Sequence, residues 1–395
     1  MSFKSNFSDK QILTVFLEGS IDSANAPQAE AWIMECYRAH AAKAVVLDAE
    51  NLRYISSSGL RVLLKLRKLE KNLELVNVSP EVYDVLDMTG FTELLSVTKA
   101  YRTIDLNECE LLGEGGHGKV FRINDDTIVK MYHTGDTIDI IKREQDYAKK
   151  AFVMGIPTAI PFDIVKNGDM YGLVFELVNA DIVSNYLNEH PEQFEDVAKK
   201  YADTMKQLHS THVAKGALSG TKELYRNRIE GLRAYLTDEE VKILQRVNDA
   251  IPDSDTVVHG DFHPKNVMIQ DGELVLIDMA DLTCGHPLYD LGSMALSHQF
   301  PSDERLETIT NMKAAAVRKL WQLFLINYLG TSDPRAIEMF SKKISVVALM
   351  KMACTLSFSS LARVPGVPEY IISMVRKNLL ANADQLIKLL SITTV

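Results

Sequence analysis

Residues 1–106 alternate short apolar runs with longer amphipathic stretches. The apolar runs are rich in β-branched and aliphatic residues, end at turn-forming residues, and predict strands at 12–19, 44–49 and 73–78. Apolar residues at helical spacing lie between and after these runs and predict helices at 27–41, 59–71 and 80–89. Alternation of this kind predicts an α/β domain in which helices cover a mixed sheet.

A different pattern begins after residue 106. In ELLGEGGHGKVFRINDDTIVKMYH, glycines lie between alternating apolar segments, which predicts an antiparallel meander with a turn at 124–126. The following residues have helical spacing over 137–153, and a further buried strand is predicted over 171–178. Residues 107–180 are therefore predicted to form a sheet with one helix.

The remainder of the chain is mainly helical in pattern, apart from a loop-and-strand region at 256–290. A chain of 395 residues exceeds the size at which one hydrophobic core usually keeps growing. We therefore predict three parts: an α/β domain at 1–106, and an α+β bilobal domain with a small lobe at 107–180 and a large helical lobe at 181–395.

Composition narrows the class of protein. An apolar fraction of 46% with 24% charged residues is typical of a folded chain, and the net charge of −10 argues against coating nucleic acid or anionic membranes. The apolar stretch at 344–362 contains Lys351, which favours a buried helix over a membrane span. The chain begins without the apolar segment of a signal peptide. Its cysteines are widely separated, which predicts reduced thiols and a cytoplasmic location: Cys36, Cys109, Cys284 and Cys354.

The glycine-rich segment has the pattern Gly113-x-Gly115-x-x-Gly118-x-Val120. Glycines at this spacing between two strands let backbone N–H groups approach triphosphate oxygens without an intervening Cβ. A glycine-rich hairpin with no ligand is the alternative. The strand-and-turn context disfavours a dinucleotide-binding unit, which needs a helix after the glycines.

Lys130 lies inside an apolar predicted strand. A buried ammonium needs a partner, and Glu144 in the following helix is a candidate. That pair would leave Lys130 directed at the α- and β-phosphates of a nucleotide. The alternative is a lysine on an edge strand that points to water.

Two later segments bring carboxylates to loops after apolar strands. In VVHGDFHPKNVMI, Asp261 is followed five residues later by Asn266, and in LVLIDMAD an apolar strand precedes Asp278. Asp261 can orient or deprotonate a hydroxyl, while Asn266 and Asp278 offer oxygen ligands for Mg²⁺. A hydrolase-type metal cluster is the alternative, built from His259, Asp261 and His263 with Asp278 or His286.

Residues from about 108 to 390 resemble the aminoglycoside phosphotransferase and choline kinase type of the protein-kinase-like fold. HGDFHPKN is similar to that family's HGDxHxxN loop, IDMAD to its IDxxD segment, HPLYDLG to its (D/H)PxxDLA segment and TMKQLHS to its LxxLH helix. Eukaryotic-like protein kinases usually carry Arg before the catalytic Asp and Lys two residues after it, where this chain has Gly260 and His263.

The resemblance implies ATP and Mg²⁺ as cofactors and gives each motif a role. It implies that Asp261 is the catalytic base or hydroxyl-orienting acid and that Asp290 braces the catalytic loop. It further implies that the nucleotide and metal are held by the following residues: Gly113, Gly115, Gly118, Lys130, Glu144, Asn266 and Asp278, with Glu176 to Val178 as the hinge that meets adenine.

The first domain resembles the STAS domain of anti-sigma factor antagonists, in EGSIDSANAP, VVLDAENLRYISSSGLRVLLKL and MTGF. In that family the serine before the glycine of a DSSG motif is phosphorylated by a partner kinase, and Ser58 is the matching residue, with Ser56 in place of the usual acid. A phosphate there would meet free N–H groups and the positive end of the helix dipole. The alternative is that the serines only cap the helix.

We therefore expect an ATP- and Mg²⁺-dependent phosphotransferase that acts on a hydroxyl of a small molecule or a protein serine, coupled to a STAS regulatory module with a protein partner. One alternative is a nucleotide-binding signalling scaffold that transfers no phosphate. Another is a resistance kinase whose acidic pocket attracts a cationic aminoglycoside.

Overall fold

A computed structural model describes residues 4–8, 11–40, 42–115, 118–133 and 136–391. The chain forms two compact units. The first comprises Met1–Glu108 with Ile164–Tyr171, and the second comprises Cys109–Asp163 with Gly172–Val395. The boundary at 180/181 between a small and a large lobe stays a prediction.

The first unit contains five strands in the order β1-β2-β3-β4-β5, in which β1 is antiparallel to β2 and the other neighbours are parallel. Its elements are β1 (Lys4–Phe7), β2 (Ile12–Ile21), α1 (Ala26–Ala39), β3 (Ala44–Ile55), α2 (Ser57–Leu69), β4 (Leu73–Val78), α3 (Pro80–Met88), α4 (Phe91–Leu94), β5 (Ser96–Lys99) and β6 (Arg102–Thr103). The predicted mixed sheet with helices is confirmed. Within the same unit, β6 pairs in parallel with Val165 and Lys166.

The serine cluster lies where β3 leads into α2. The helix begins at Ser57, two residues before the predicted start, because Ser56 is its N-cap. Ser56 Oγ accepts hydrogen bonds from the backbone N–H groups of Ser58 at 3.2 Å and Gly59 at 3.5 Å. We expected a phosphate on Ser58 to meet free N–H groups at the start of this helix. That expectation is wrong for these two N–H groups, because Ser56 already accepts their hydrogen bonds.

Gly59 has a packing role. A Cβ at this position would lie 2.6 Å from Ile55 Cγ1 and 2.9 Å from Ile21 Cγ2. Only glycine lets the first turn of α2 approach these two core residues so closely. The glycine after the serines is thus explained by contact between helix and sheet.

The second unit begins with strands and continues mainly as helices. Its first elements are β7 (Glu110–Gly115), β8 (Gly118–Arg122), β9 (Thr127–Met131) and α5 (Ile138–Val153). Strands β10 (Pro161–Asn167) and β11 (Met170–Glu176) contain residues of both units, and β12 (Asp181–Ile182) follows in the second. The later ones are α6 (Val183–Glu189), α7 (Phe194–Ser210), α8 (Thr221–Glu230), α9 (Asp238–Ala250), β13 (Val257–Val258), β14 (Val267–Gln270), β15 (Glu273–Leu276), β16 (Thr283–Cys284), α10 (Leu288–His298), α11 (Asp303–Thr310), α12 (Ala314–Leu329), α13 (Pro334–Cys354), α14 (Val367–Asn378) and α15 (Ala383–Leu390). Short 3₁₀ turns occupy Pro191–Gln193, Gly231–Ala234, Thr355–Ser357, Ser360–Arg363 and Leu380–Asn382.

The predicted meander is confirmed, since β7, β8 and β9 pair antiparallel and β9 also pairs antiparallel with β11. Lys130 lies opposite Val120 on one side and Leu173 on the other, so it is on a central strand. The edge-strand alternative for this lysine is wrong. Gly118 has φ +140° and a Cβ there would come within 1.9 Å of Met131 O, so this glycine is required by the contact between β8 and β9.

The large helical part has one extensive core, and α13 runs through it. Lys351 on α13 is 5% exposed and donates a hydrogen bond from Nζ to Tyr289 O at 2.9 Å. Burial lowers the pKa of Lys351 to about 8. The apolar stretch around it is thus a buried helix, as predicted, although α13 ends at Cys354. Across the described part of the chain, no helix has the length and apolar character needed to cross a membrane.

The packing at Gly59 predicts that Gly59→Ala destabilises the first unit by roughly 1–3 kcal/mol, because an added methyl group overpacks the site. The chain has two tryptophans, Trp32 in the first unit and Trp321 in the second. In a Trp321→Phe background, urea unfolding followed by fluorescence therefore reports on the first unit. Ser57→Ala, an exposed change two residues away, is the control. Equal midpoints for both variants would contradict the packing argument.

Burial of Lys351 predicts a stability that depends on pH. The folded-state pKa of about 8 lies below the unfolded value of 10.5, so the unfolded chain binds more protons between these two values. The wild type should gain stability relative to Lys351→Met as pH rises from 8 to 10, by at most roughly 1.4 kcal/mol per pH unit. Urea unfolding at several pH values in a Trp32→Phe background measures this. A difference between the two proteins that does not change with pH would refute it.

Candidate functional site

Lys130 lies between two carboxylates. Its Nζ is 2.8 Å from Glu144 Oε1 on α5 and 3.1 Å from Asp278 Oδ1 after β15. Tyr132, the residue immediately after β9, donates a hydrogen bond to Glu144 Oε2 at 2.6 Å. Lys130 is 12% exposed and Glu144 only 2%, whereas Asp278 is 23% exposed. Lys130, Glu144 and Asp278 thus form a charged triad in which Glu144 is the most buried member and Asp278 the most exposed.

The charges of this triad do not cancel. Burial alone would lower the pKa of Lys130, but the carboxylates of Asp278 and Glu144 outweigh burial and raise it. Burial, together with repulsion from Asp278, raises the pKa of Glu144 although Lys130 opposes that shift. With the lysine charged, two carboxylates face a single cation. The site therefore has an excess of negative charge at its open side.

The backbone at Asp278 is in the left-handed region, with φ +63°. A non-glycine residue in this region costs of order 1–3 kcal/mol and persists only where neighbouring structure holds it. Here Ile277 N donates to Asn266 O at 3.0 Å, which joins the segment to the loop that carries Asp261. The strained turn directs the carboxylate of Asp278 towards Lys130.

The loop after β13 carries Asp261, whose side chain is 49% exposed. Asn266 Nδ2 donates to Asp261 O at 2.9 Å and to Asp261 Oδ2 at 3.2 Å. His263 Nδ1 accepts from Lys265 N at 3.2 Å, and its Nε2 is 3.5 Å from Asp261 Oδ2. Hydrogen bonds within its own loop thus hold Asp261 in place, and about half of its side chain is exposed.

Asp290 on α10 braces this loop from inside the core. Its carboxylate is fully buried and accepts hydrogen bonds from His259 N at 2.8 Å and Gly260 N at 2.7 Å. His209, at the end of α7, has Nε2 at 3.1 Å from Asp290 Oδ2. Burial would raise the pKa of Asp290, but the hydrogen bond and charge of His209, with the other donors, hold the pKa below its usual value.

Gly260 connects this brace to Asp261. Its φ is +91°, and a Cβ would lie 2.7 Å from Asp281 Cβ and 2.7 Å from Asp281 O. Ser293 Oγ donates to Gly260 O at 2.7 Å. Both the backbone conformation and the close approach of Asp281 require glycine here. The position of Gly260, the residue before Asp261, is therefore fixed both by its backbone conformation and by its contact with Asp281.

The hinge candidates lie at the end of β11 and directly after it. Glu176 Oε1 accepts from Ile160 N at 2.9 Å, and Leu177 N donates to Asp126 O at 2.7 Å. Val178 O accepts from Ala180 N at 2.9 Å, whereas the N–H of Val178 donates to no other described residue. The predicted strand over 171–178 ends at Glu176, so Val178 belongs to the connecting segment.

The glycine-rich segment forms the hairpin of β7 and β8. Gly113 and Gly115 are on β7 and Gly118 begins β8, while residues 116–117 lie outside the described part of the chain. A Cβ at Gly113 would meet nothing within 4 Å. The fold therefore requires glycine at 118 but has no steric need for it at 113.

The structure brings together Lys130, Glu144 and Asp278 in one cluster and Asp261 with Asn266 in another, joined through Ile277. The two strands that precede Asp261 and Asp278 belong to different sheets, since β13 pairs with β16 and β15 with β14. Among the residues that the structure describes, no three His, Cys, Asp or Glu side chains are grouped to hold a metal ion. The hydrolase-type alternative gains no support from this geometry.

Residues 108–321 match the family described as "Phosphotransferase enzyme family". The chain belongs to that family. Residues 8–106 match the STAS domain family, as predicted. A candidate anti-sigma factor antagonist of Bordetella bronchiseptica, BtrV, is 37% identical over 93 residues, which cover 22% of this chain and 79% of that protein. The chain is thus a STAS domain followed by a phosphotransferase-family domain.

Two solved structures illustrate what this chain is similar to. The ternary complex of streptomycin, ATP and APH(2")-IIa has a TM-score of 0.48 and 18% identity, and the match covers 77% of this chain and 97% of that one. A choline/ethanolamine kinase family protein from Mesorhizobium loti has a TM-score of 0.44 and 16% identity, with 72% and 92% covered.

Sequence reasoning missed some side chains that shape the site. Tyr132 follows Lys130 by two residues, and strand periodicity places both on one face. His209 lies within the TMKQLHS segment, which served only as a mark of the fold. Asp281 ends the IDMAD segment and was given no role. A search for polar residues at strand period 2 or inside the family motifs would have found the first two, whereas the contact of Asp281 with Gly260 needs the fold.

The geometry at Gly260 predicts a large loss of stability in Gly260→Ala. Positive φ alone costs an alanine about 1–2 kcal/mol, and the clash with Asp281 adds roughly 1–3 kcal/mol. Gly216→Ala is a matched control, because Gly216 has φ +83° and a Cβ there meets nothing within 4 Å. Urea unfolding of both variants in a Trp32→Phe background measures the difference. Equal losses would show that Asp281 yields without cost.

Proposed function

We propose that this chain is an ATP- and Mg²⁺-dependent phosphotransferase that transfers the γ-phosphoryl group to a hydroxyl acceptor, and that its STAS domain regulates this activity. The observation that carries the proposal is the position of Lys130 on a central strand, 2.8 Å from Glu144 and 3.1 Å from Asp278. Glu144 holds Lys130 from the buried side, whereas Asp278 is partly exposed. When Asp278 binds a metal ion instead of Lys130, the ammonium group can bind phosphate.

The proposed nucleotide site uses the small sheet and the segment after it. Lys130 would contact the α- and β-phosphates while Glu144 keeps the ammonium in place. The adenine base would accept a hydrogen bond from the N–H of Val178, which no other described residue uses, and Glu176 O would face its amino group. The lack of a side chain at Gly113, which packing does not require, supports close approach of phosphate to the hairpin of Gly115 and Gly118.

The residues present fit a magnesium ion. Asp278 supplies a carboxylate and Asn266 an amide oxygen, since its Nδ2 already donates to Asp261. Mg²⁺ in nucleotide sites is usually held by one or two carboxylates together with the phosphates. The excess negative charge around Lys130 favours a cation at this point. When bound, the ion would neutralise charge on the phosphates.

Asp261 would act on the acceptor. Its half-exposed carboxylate accepts the proton of the acceptor hydroxyl while the hydroxyl oxygen forms a bond to the γ-phosphorus. The bond from that phosphorus to the bridging oxygen breaks, and ADP leaves with the electron pair. Asn266 holds the carboxylate in position, and Asp290 with His209 holds the backbone on which it stands.

Ser58 is the proposed phosphorylation site of the STAS domain. Its side chain is half-buried in the first turn of α2, and Ser56 caps the helix. A phosphate would add about −1.5 to −2 charges beside the positive end of the helix dipole, where an anion is tolerated. At a surface that a partner protein covers, the same charge would cost several kcal/mol. The proposed partner is a protein related to those that bind anti-sigma factor antagonists.

Incubation of the purified chain with γ-labelled ATP tests this proposal. Asp261→Asn should lower ATP turnover by roughly 10²- to 10⁴-fold, because the acceptor hydroxyl loses its base. If the chain phosphorylates itself at the proposed site, label on the protein should disappear in Ser58→Ala and persist in the control Ser57→Ala. Turnover that appears only with a small hydroxyl compound would assign the acceptor to that class.

Wild-type turnover in Asp261→Asn, or no ATP binding by the full chain, would overturn the phosphotransferase proposal. ATP binding without turnover on any acceptor would support the nucleotide-binding scaffold instead. Tryptophan fluorescence checks that each variant is folded, since Trp32 lies in the first unit and Trp321 in the second.

A further inference from the structure

A second charged cluster lies beside the loop that carries Asp261. Asp281 touches Gly260, as its 2.7 Å approach to a Cβ there shows, and its side chain is 49% exposed. Arg228 on α8 has Nη2 at 4.0 Å from Asp281 Oδ1. Two successive contacts therefore connect the guanidinium of Arg228 to the residue before Asp261.

Aromatic rings hold this guanidinium in place. Its central carbon lies 4.0 Å from the ring centre of Phe358 and 5.1 Å from that of Tyr225. The segment that presents Phe358 is itself packed against the end of α8, since a Cβ at Gly231 would be 2.9 Å from Ser357 Cβ. Phe358 is 56% exposed, so its ring is not placed there by burial in the core. Stacking on an aromatic face orients a planar guanidinium and leaves its edge available.

The hydrogen-bonding capacity of Arg228 is largely unused. A guanidinium has five N–H donors, and within the described residues Arg228 donates one hydrogen bond, from Nη1 to Tyr225 OH at 3.2 Å. Its distance of 4.0 Å to Asp281 is an ion pair without a hydrogen bond. By contrast, Arg226 on the same helix donates to Glu223 at 2.9 Å and Asp249 at 2.7 Å.

We propose that Arg228 is an acceptor-binding residue that recognises a carboxylate or phosphate group on the hydroxyl compound phosphorylated at Asp261. The proposal rests on the proposed function and names the class of its substrate: a small anionic hydroxyl compound. A guanidinium binds such oxyanions through two parallel N–H···O bonds, which fixes orientation as well as charge. With Arg228 19% exposed, the group is recessed, which suits a small molecule better than a protein surface.

The same geometry disfavours a cationic acceptor. The positive charge of Arg228 would repel the ammonium groups of an aminoglycoside or of choline. Asp281, which packs against Gly260, could attract a cation, but its carboxylate already faces the guanidinium at 4.0 Å. The charge at this position therefore predicts selection for anions.

The test uses the full chain with ATP, Mg²⁺ and hydroxyl acceptors that differ in charge. Glycerate and glycerol 3-phosphate carry the two anionic groups, glycerol is neutral, and choline and kanamycin are cationic. Turnover should occur with glycerate or glycerol 3-phosphate and exceed that with glycerol. The anion that works better identifies the group that Arg228 binds.

Variants assign the effect to Arg228. Arg228→Gln should raise the KM for the anionic acceptor roughly 10- to 100-fold, with a smaller change in kcat, because hydrogen bonds to a charged group are lost. Arg228→Lys keeps the charge but not the paired geometry and should fall between Arg228→Gln and the wild type. Arg226→Gln removes the same charge from the same helix and should change this KM by less than about threefold, as expected of an exposed charge.

Several results would overturn the inference. These are turnover confined to glycerol, choline or kanamycin, an equal effect of Arg226→Gln and Arg228→Gln, or failure of both anionic acceptors in a chain that binds ATP and hydrolyses it slowly. The last result would leave the proposed phosphotransferase standing. Failure to bind ATP at all would instead count against the proposed function.

Discussion

The buried carboxylate of Asp290 is the interaction on which the candidate site depends. A carboxylate with no exposure needs several donors to offset the loss of water, and here two backbone N–H groups and His209 supply them. Those N–H groups belong to His259 and Gly260, so satisfying the charge also fixes the backbone that presents Asp261. The core of the helical region and the position of Asp261 are therefore parts of one arrangement.

A second constraint is the unequal charge around Lys130. One ammonium between Glu144 and Asp278 leaves a carboxylate in excess, and the strained backbone at Asp278 holds that carboxylate at the open side. In a nucleotide-free chain Lys130 forms ion pairs with both Glu144 and Asp278. In the proposed complex the metal takes Asp278 and the phosphates take Lys130, so partners are exchanged without leaving a buried charge alone.

Charge also distinguishes the two sides of the Asp261 loop. Towards Asp278 the site is acidic and suits a cation with its phosphates. Towards Asp281 it presents Arg228, stacked on Phe358 and short of hydrogen-bond partners. This difference in charge is the basis for the proposed anionic acceptor. The net charge of −10 gave no indication of it, because net charge does not describe a local site.

Local sequence patterns were enough to predict the alternation of elements in the STAS domain, the antiparallel meander and the order of the motifs of the phosphotransferase domain. Periodicity and turn chemistry can be read from neighbouring residues alone. The same patterns placed the start of α2 two residues late, since three adjacent serines are equally good caps. The contacts within the site depend on the packing of the fold. Lys130 and Asp278 are 148 residues apart in the sequence, and His209 and Asp290 are 81 residues apart. Such contacts depend on how strands and helices pack, and the same is true of Gly59 against Ile55 and of Arg228 beside Asp281. Local pattern specifies the elements, whereas burial and long-range packing specify the site.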